Sequence, residues 1–173
     1  MAFGLCAVSK EFVPIFYGNG FEKCKDVISI LVLSSIFISW ANVIRTQYLI
    51  PNQKDKIYII SVFLGAFVNV IINFILIPKL MSIGAAIGTI CAEFSVCAYQ
   101  TYKVRKELDI KLYIKKCVPF LLISIVMYII VFYVPLIRSN IITLIIKVIV
   151  GVIVYVTMLI TFCKKILADS LRN

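Results

Sequence analysis

Long apolar segments separated by short polar loops constrain this chain more than any other feature. A helix rises about 1.5 Å per residue, so about 20 residues cross a hydrocarbon core of about 30 Å. We predict six such spans, the first truncated, at residues 1–17, 27–50, 57–77, 82–102, 117–137 and 141–162. The predicted fold class is an all-α, polytopic transmembrane helical bundle.

The composition supports a membrane protein rather than a soluble helical domain. The chain is 62% hydrophobic and its mean hydropathy is +1.07, whereas a soluble domain is about half apolar. Too few polar residues remain to cover the surface of a soluble helical domain. No low-complexity linker divides the sequence, so we treat residues 1–173 as one transmembrane lobe in a lipid bilayer.

The basic residues predict the orientation of the chain. There are 18 lysines and arginines against 8 acidic residues, which in a soluble protein would suggest nucleic acid. Most of them lie between the predicted spans, so we interpret them as topological signals and expect no nucleic-acid partner. If the spans alternate, one face carries Lys54, Lys56, Lys103, Arg105, Lys106, Lys111, Lys115, Lys116, Lys164, Lys165 and Arg172. The opposite face carries Lys23, Lys25, Lys79 and Arg138. The more basic face, with the C-terminus, is predicted to be cytoplasmic.

Nothing in the sequence indicates catalysis. The chain has no histidine, no pair of cysteines at CxxC spacing, no paired carboxylates in a loop and no glycine-rich phosphate loop. Histidine is the commonest general base and a common metal ligand. We therefore expect no enzymatic activity, no cofactor and no metal site.

Residues 65–93 read as two apolar helices joined by a tight turn at Pro78 and Lys79. The first helix is expected to end at Ile77, because proline lacks an amide hydrogen and clashes with the preceding turn. The second helix carries Gly84 and Gly88, one turn apart. Such a pair of small residues lets another helix approach closely, so we predict a helix-packing site there.

Polar residues recur every three or four positions in several spans, which places each set on one helix face. Asn69, Asn73 and Glu93 are the candidates near mid-span, and Arg45 and Lys147 are cations near span ends. Two interpretations stay open: the polar faces line a water-filled path, or they hydrogen-bond one helix to another. A mid-span carboxylate should face protein or water. The two cations either line the path or extend to the membrane surface.

Residues 68–94, VNVIINFILIPKLMSIGAAIGTICAEF, resemble a signature of the polysaccharide flippases, within the multidrug/oligosaccharidyl-lipid/polysaccharide exporter superfamily. Residues 1–21 and 47–51 resemble the same family in the same order. The resemblance implies the C-terminal part of a transporter that lacks its N-terminal lobe. It also implies a lipid-linked oligosaccharide as the substrate, moved on undecaprenyl pyrophosphate across the bacterial inner membrane for O-antigen, capsule or exopolysaccharide synthesis.

In that family a cationic lumen is thought to carry the pyrophosphate, and Arg45 and Lys147 match it by residue type only. With the residues of the polar faces, the candidate substrate path comprises Arg45, Lys147, Glu93, Asn69 and Asn73. Two alternatives remain. A multidrug or other cation-coupled exporter of the same superfamily would use Glu93 as a coupling carboxylate. A non-transporting membrane fragment would use none of these residues for transport.

The charge pattern predicts that Cys24 lies outside the inner membrane and Cys163 inside, because they adjoin opposite faces. Single-cysteine variants in intact cells, treated with a membrane-impermeant maleimide, should label at Cys24 and stay protected at Cys163. Labelling of Cys163 with protection of Cys24 would reverse the orientation.

Overall fold

The computed structural model describes residues 2–18, 20–135 and 139–170, with side chains described as far as residue 164. Within these ranges the secondary structure is helical, without strands. The helices are α1 (Ala2–Tyr17), α2 (Lys23–Ile44), a π-helical turn (Arg45–Leu49), α3 (Asp55–Leu80), α4 (Ser82–Val104), α5 (Ile110–Phe132) and α6 (Asn140–Ser170).

Among the described residues, five helices are long and apolar enough to cross a membrane: Lys23–Leu49, Asp55–Leu80, Ser82–Val104, Ile110–Phe132 and Asn140–Lys164. The predicted all-α transmembrane fold is therefore confirmed. The sixth, α1, has only 16 residues, fewer than a full crossing requires. Predicted features at Met1, Ile137, Arg138 and Arg172, and the side chain of Lys165, lie outside the described residues.

The chain forms two compact units. The central unit is Lys23–Lys111 and contains α2, the π-turn, α3 and α4. The terminal unit combines Phe3–Glu22 with Leu112–Asn173 and contains α1, most of α5, and α6. Each unit is described by itself below.

The predicted helix end at Ile77 is wrong, because α3 continues through Pro78 to Leu80. Pro78 lies two residues before the helix end, so its missing amide hydrogen costs one hydrogen bond in the last turn. This loss does not end the helix before Pro78. The reversal instead occurs at Met81, whose φ is +49° and whose amide donates to the carbonyl of Ile77 at 2.9 Å. A residue with positive φ redirects the chain within one position.

The predicted loop at residues 103–116 is also shorter than expected, because α4 runs to Val104 and α5 begins at Ile110. Lys111, Lys115 and Lys116 are therefore helical. Lysine has a long, flexible side chain that can extend from the end of a helix to the membrane surface, so these residues do not require a loop. The last helix likewise extends past the predicted end at residue 162 to Ser170.

Opposite faces of α3 have opposite chemistry. Phe63, Phe67 and Phe74 are 72%, 65% and 83% exposed, as expected for a face that meets lipid. Ser61 and Gly65, on another face of the same helix, are buried. The small and polar face therefore packs against protein, while the aromatic face points outward.

Small residues bring α3 and α4 together along their whole length. A Cβ added at Gly84 would lie 2.6 Å from the carbonyl oxygen of Leu76. One added at Gly88 would lie 2.2 Å from Oδ1 of Asn73, and one at Gly65 would lie 2.5 Å from Cγ2 of Val96. In lipid, helices associate by such close packing rather than by a hydrophobic driving force.

In the terminal unit, α5 packs against both other helices. Ala7 of α1 is buried with Met127 and Val131 of α5, and Val150 and Tyr155 of α6 pack against this cluster. Ile123, Met127 and Val131 are the buried residues of α5, and most of its other residues are exposed. An apolar helix has no sequence signal that distinguishes a protein-facing side from a lipid-facing side, since both are equally hydrophobic.

We predict that Gly84→Ala destabilises the protein by about 1–3 kcal/mol, because the new methyl group meets backbone atoms that cannot rotate away. The measurement is thermal unfolding in detergent. The matched control is Gly4→Ala, another helical glycine, where an added Cβ meets only Cε of Met127 at 3.8 Å. Both changes raise helix propensity equally, so equal unfolding temperatures would contradict the prediction.

Candidate functional site

The central unit contains a cavity of about 420 Å³ between α2, α3 and α4, within the size range of ligand pockets. The space exists because several lining residues have small side chains or none, among them Ala41, Gly65, Ala66 and Ala92. Its polar lining residues are Asn42, Arg45, Tyr58, Asn69, Glu93 and Gln100. This half-open cavity, largely apolar but with several polar lining residues, is the candidate site of the central unit.

Arg45 lies at one end of the cavity and belongs to the π-turn, where the amide of Ile50 donates to the Arg45 carbonyl at 3.0 Å. Its Nη1 donates to the Tyr58 hydroxyl at 3.3 Å, and its Cζ lies 5.2 Å from the centre of the Tyr58 ring. Its Nε is buried and has no hydrogen-bond partner among the described residues. The guanidinium is thus held by neutral groups, and its charge is not compensated by them.

Glu93 lies farther along the cavity on α4. The hydrogen bond from Gln100 to Ser61 and the contact of Gly88 with Asn73 fix the antiparallel register, which places Glu93 level with Asn69. Tyr58 and Asn69 are separated by about 16 Å along the axis of α3. The ion pairs found within the described ranges join other residues, so Arg45 and Glu93 form none there. The cavity therefore has a cation at one end and a carboxylate toward the other.

Gln100 lies on the cavity wall between these ends and is 1% exposed. Its Nε2 donates to the Ser61 hydroxyl at 2.8 Å, and that hydroxyl donates to the Tyr58 carbonyl at 2.6 Å. Its Oε1 is buried and accepts no hydrogen bond from the part of the chain that the structure describes. The wall thus retains an unused acceptor beside the cavity.

Asn73 supports the site from outside the cavity wall. Its Nδ2 donates to Oδ1 of Asn69 at 2.7 Å, and its own Oδ1 occupies the space left by Gly88. Three predicted path residues, Arg45, Asn69 and Glu93, line the cavity, whereas Asn73 positions Asn69. The predicted packing glycines lie at the contact of α3 with α4, where Gly84 faces Leu76 and Gly88 faces Asn73.

Lys147 has a different environment, in the terminal unit. Its Nζ lies 2.6 Å from Oε1 of Glu11, and the two side chains are 6% and 2% exposed. The ammonium group is therefore buried in an ion pair and does not extend to the membrane surface. Oε2 of Glu11 is buried without a hydrogen-bond partner in the described chain.

Sequence reasoning missed the role of Glu11. The available signal was a carboxylate inside an apolar helix, which is costly in a membrane unless a cation compensates it. Lys147 was recognised as an intramembrane cation, but its partner comes from the opposite end of the chain. Only the packing of α1 with α6 brings the two together.

An exposed cluster of charged and polar side chains joins the loop before α3 to the loop after α4. Lys54, before α3, forms an ion pair with Glu107, after α4, and the Tyr48 hydroxyl donates to the same carboxylate. The bond to Lys54 lowers the pKa of Glu107, and Glu107 in turn raises the pKa of Lys54. The loop before α3 and the loop after α4 therefore lie at the same end of the central unit, as expected for two antiparallel helices.

Comparison with known proteins gives a coarse classification. The chain is 28% identical over 133 residues to the uncharacterized membrane protein MJ1068 of Methanocaldococcus jannaschii, a match covering 75% of this chain. The matching region makes up 25% of that relative, so the chain spans about a quarter of its length. No known protein family matches the sequence, and no solved structure matches it. Together with the apolar helices, this similarity supports a multi-pass membrane protein.

We predict that Glu11→Met and Lys147→Met each destabilise the protein by about 3–5 kcal/mol, because each leaves a buried charge without its partner. The double variant should recover most of this loss, since it removes both charges and keeps the volume apolar. Thermal unfolding in detergent measures the cycle. Lys10→Met, at an exposed neighbour of Glu11, is the control. Additive losses in the double variant would show that the pair does not act as a unit.

Proposed function

We propose that this chain is one lobe of a flippase that moves an undecaprenyl-pyrophosphate-linked oligosaccharide across the bacterial inner membrane for surface polysaccharide synthesis. The observation that supports the proposal most is Arg45, a cation that lines a cavity between membrane-spanning helices and has no carboxylate partner among the described residues. The resemblance of residues 68–94 to the polysaccharide flippases supports the same reading.

The chemistry of such a substrate requires a compensating charge. A pyrophosphate cannot enter hydrocarbon unpaired, because an isolated buried anion loses far more solvation energy than packing returns. A fixed guanidinium offers forked N–H donors that match phosphate oxygens. An intramembrane cation that is not neutralised by its own protein is itself costly, which favours a role in transport.

A single lobe does not enclose a transport path. Alternating access usually requires one bundle to rock against another around a binding site near mid-membrane. The match to a relative about three times as long agrees with a larger assembly. We therefore propose that the missing N-terminal lobe of the same protein is the partner, and that the C-terminus is cytoplasmic.

A cation-coupled exporter of the same superfamily is the second candidate, and Glu93 is the observation that favours it. This carboxylate lines the same cavity and has no ion-pair partner in the described chain. In such an exporter, Glu93→Gln would abolish the dependence of transport on an ion gradient, whereas Arg45→Gln would leave it intact. The flippase proposal requires Arg45 for transport.

In the full-length protein we expect Arg45→Lys to retain part of export and Arg45→Gln to lose it, because the pyrophosphate requires a positive charge. The measurement is surface polysaccharide in a flippase-deficient strain, normalised to expression. Thr157→Val, exposed on α6 with its hydroxyl bonded to its own helix, is the control. Normal export by Arg45→Gln would contradict the proposal.

Lys147 separates a transport role from a structural one. If its charge serves the substrate, Lys147→Met should fail in export and the double variant Glu11→Met/Lys147→Met should fail equally. If its charge only neutralises Glu11, the double variant should restore export, because the buried charge imbalance is gone. We expect restoration, since Lys147 is already paired within the terminal unit.

A further inference from the structure

We propose that one end of the central unit binds an anionic phospholipid of the surrounding bilayer, with the phosphate at Arg105 and an acyl chain along the outer face of α4. This is the end where the loop before α3 meets the loop after α4. The site lies on the opposite side of α4 from the cavity, and it does not depend on the proposed transport function.

The outer face of α4 consists of Phe94, Ala98 and Tyr102. Steps of four residues keep the three side chains on one face of the helix. Phe94 and Tyr102 are 55% and 58% exposed, and Ala98 between them is also exposed. The row that packs against α3 contains Val96 and Gln100 and is offset by two residues, so the outer face points about 200° away from α3. These three side chains therefore face the surroundings of the protein.

Arg105 lies at the charged end of this face and directly follows α4. Its Cζ lies 4.0 Å from the centre of the Tyr102 ring. A guanidinium over an aromatic ring contacts it through its own flat face, which leaves the N–H donors at its edge free to bind phosphate oxygens. The ion pairs found within the described ranges join other residues, so Arg105 has no carboxylate partner there.

Ala98 leaves a recess of the right chemistry for an acyl chain. Its methyl group lies between the larger side chains of Phe94 and Tyr102, so a hydrocarbon chain can pack between the two rings. The border of this recess on α2 is aromatic as well, because the ring of Phe37 lies 5.3 Å from the ring of Phe94 in an edge-to-face contact. Trp40, one turn farther along α2, donates from Nε1 to the Thr101 hydroxyl at 2.9 Å.

The other charges at this end also favour an anionic partner. Six lysines and arginines lie there against three acidic residues, and Lys54 already neutralises Glu107. The net charge of this end is therefore positive. Basic clusters of this size beside a membrane-spanning helix attract anionic headgroups. The basic residues are Lys54, Lys56, Lys103, Arg105, Lys106 and Lys111, and the acidic ones are Asp55, Glu107 and Asp109.

The order of groups along this face matches a phospholipid rather than an acidic protein or a nucleic acid. Arg105 comes first, then Tyr102, then the apolar stretch with Ala98 and Phe94. A phospholipid presents its phosphate, its interfacial region and its chains in the same order, and tyrosine is enriched at that interfacial level. A water-soluble partner would pair with the cation but would not reach the apolar stretch, which lies within a membrane-spanning helix.

The sole tryptophan of the chain, Trp40, reports on this site because its partner Thr101 is the neighbour of Tyr102. The full chain is reconstituted in vesicles that mix brominated phosphatidylglycerol with plain phosphatidylcholine, and in the converse mixture. Bromine on an acyl chain quenches indole fluorescence at close range. We expect phosphatidylglycerol to be preferred by about fivefold, the factor that one cation near the membrane surface contributes.

Arg105→Gln should reduce this preference to near equality, and Arg105→Lys should retain part of it, because lysine keeps the charge without the forked donors. Tyr102→Leu should also lower the preference, since the guanidinium loses its support. Lys79→Gln is the matched control: it removes the same charge from an exposed residue of the same unit, about 36 Å away along α3. An unchanged emission maximum of Trp40 shows that each variant is folded at this end.

Equal quenching by the two brominated lipids in the native chain, or quenching by neither, would overturn the inference. An equal loss of preference in Lys79→Gln and Arg105→Gln would overturn it too, because overall charge rather than a site would then select the lipid. Loss of the preference when soluble glycerol phosphate is added at constant ionic strength would assign Arg105 to a soluble anion and reject the phospholipid.

Discussion

The central unit depends on the close contact of α3 with α4 at Gly84 and Gly88. Backbone atoms of Leu76 lie where a side chain at Gly84 would begin, so the two helices are held in one register. That register brings Gln100 to Ser61 and places Glu93 level with Asn69, more than one turn away from the glycines. The shape of the cavity therefore follows from residues that do not line it, because in lipid close packing is what holds helices together.

Charged side chains inside the spans occur in two kinds of environment. In the terminal unit, Glu11 and Lys147 neutralise each other at 2.6 Å. In the central unit, Arg45 and Glu93 share a cavity wall, and the structure gives neither an ion-pair partner within the residues it describes. Two opposite charges that pair with each other can be buried in a folded membrane protein without any further role. Uncompensated charges impose a cost that folding does not explain, so they are the stronger indicators of function.

Hydropathy predicted the helical class and the approximate positions of the spans, because the length of an apolar run directly reflects the thickness of the membrane. It also placed Arg45, Asn69 and Glu93 on polar faces that line the cavity. It did not predict the pairing of Lys147 with Glu11, since long-range partners leave no local periodicity. The sequence placed the helix end at Ile77 because proline is a helix breaker. The helix in fact ends at the positive φ of Met81, and methionine has no propensity that signals this conformation.

The π-turn at Arg45–Leu49 has a consequence for how this sequence can change by insertion and deletion. A π-turn contains one residue more than an α-turn, so a single deletion within it can restore regular helix without breaking the chain. Because the π-turn absorbs its extra residue, the helix before it would keep nearly the same orientation after such a deletion. Trp40, one turn before the π-turn, would then keep its hydrogen bond to Thr101. A change of one residue in the length of this segment is therefore compatible with the packing of α2 against α4.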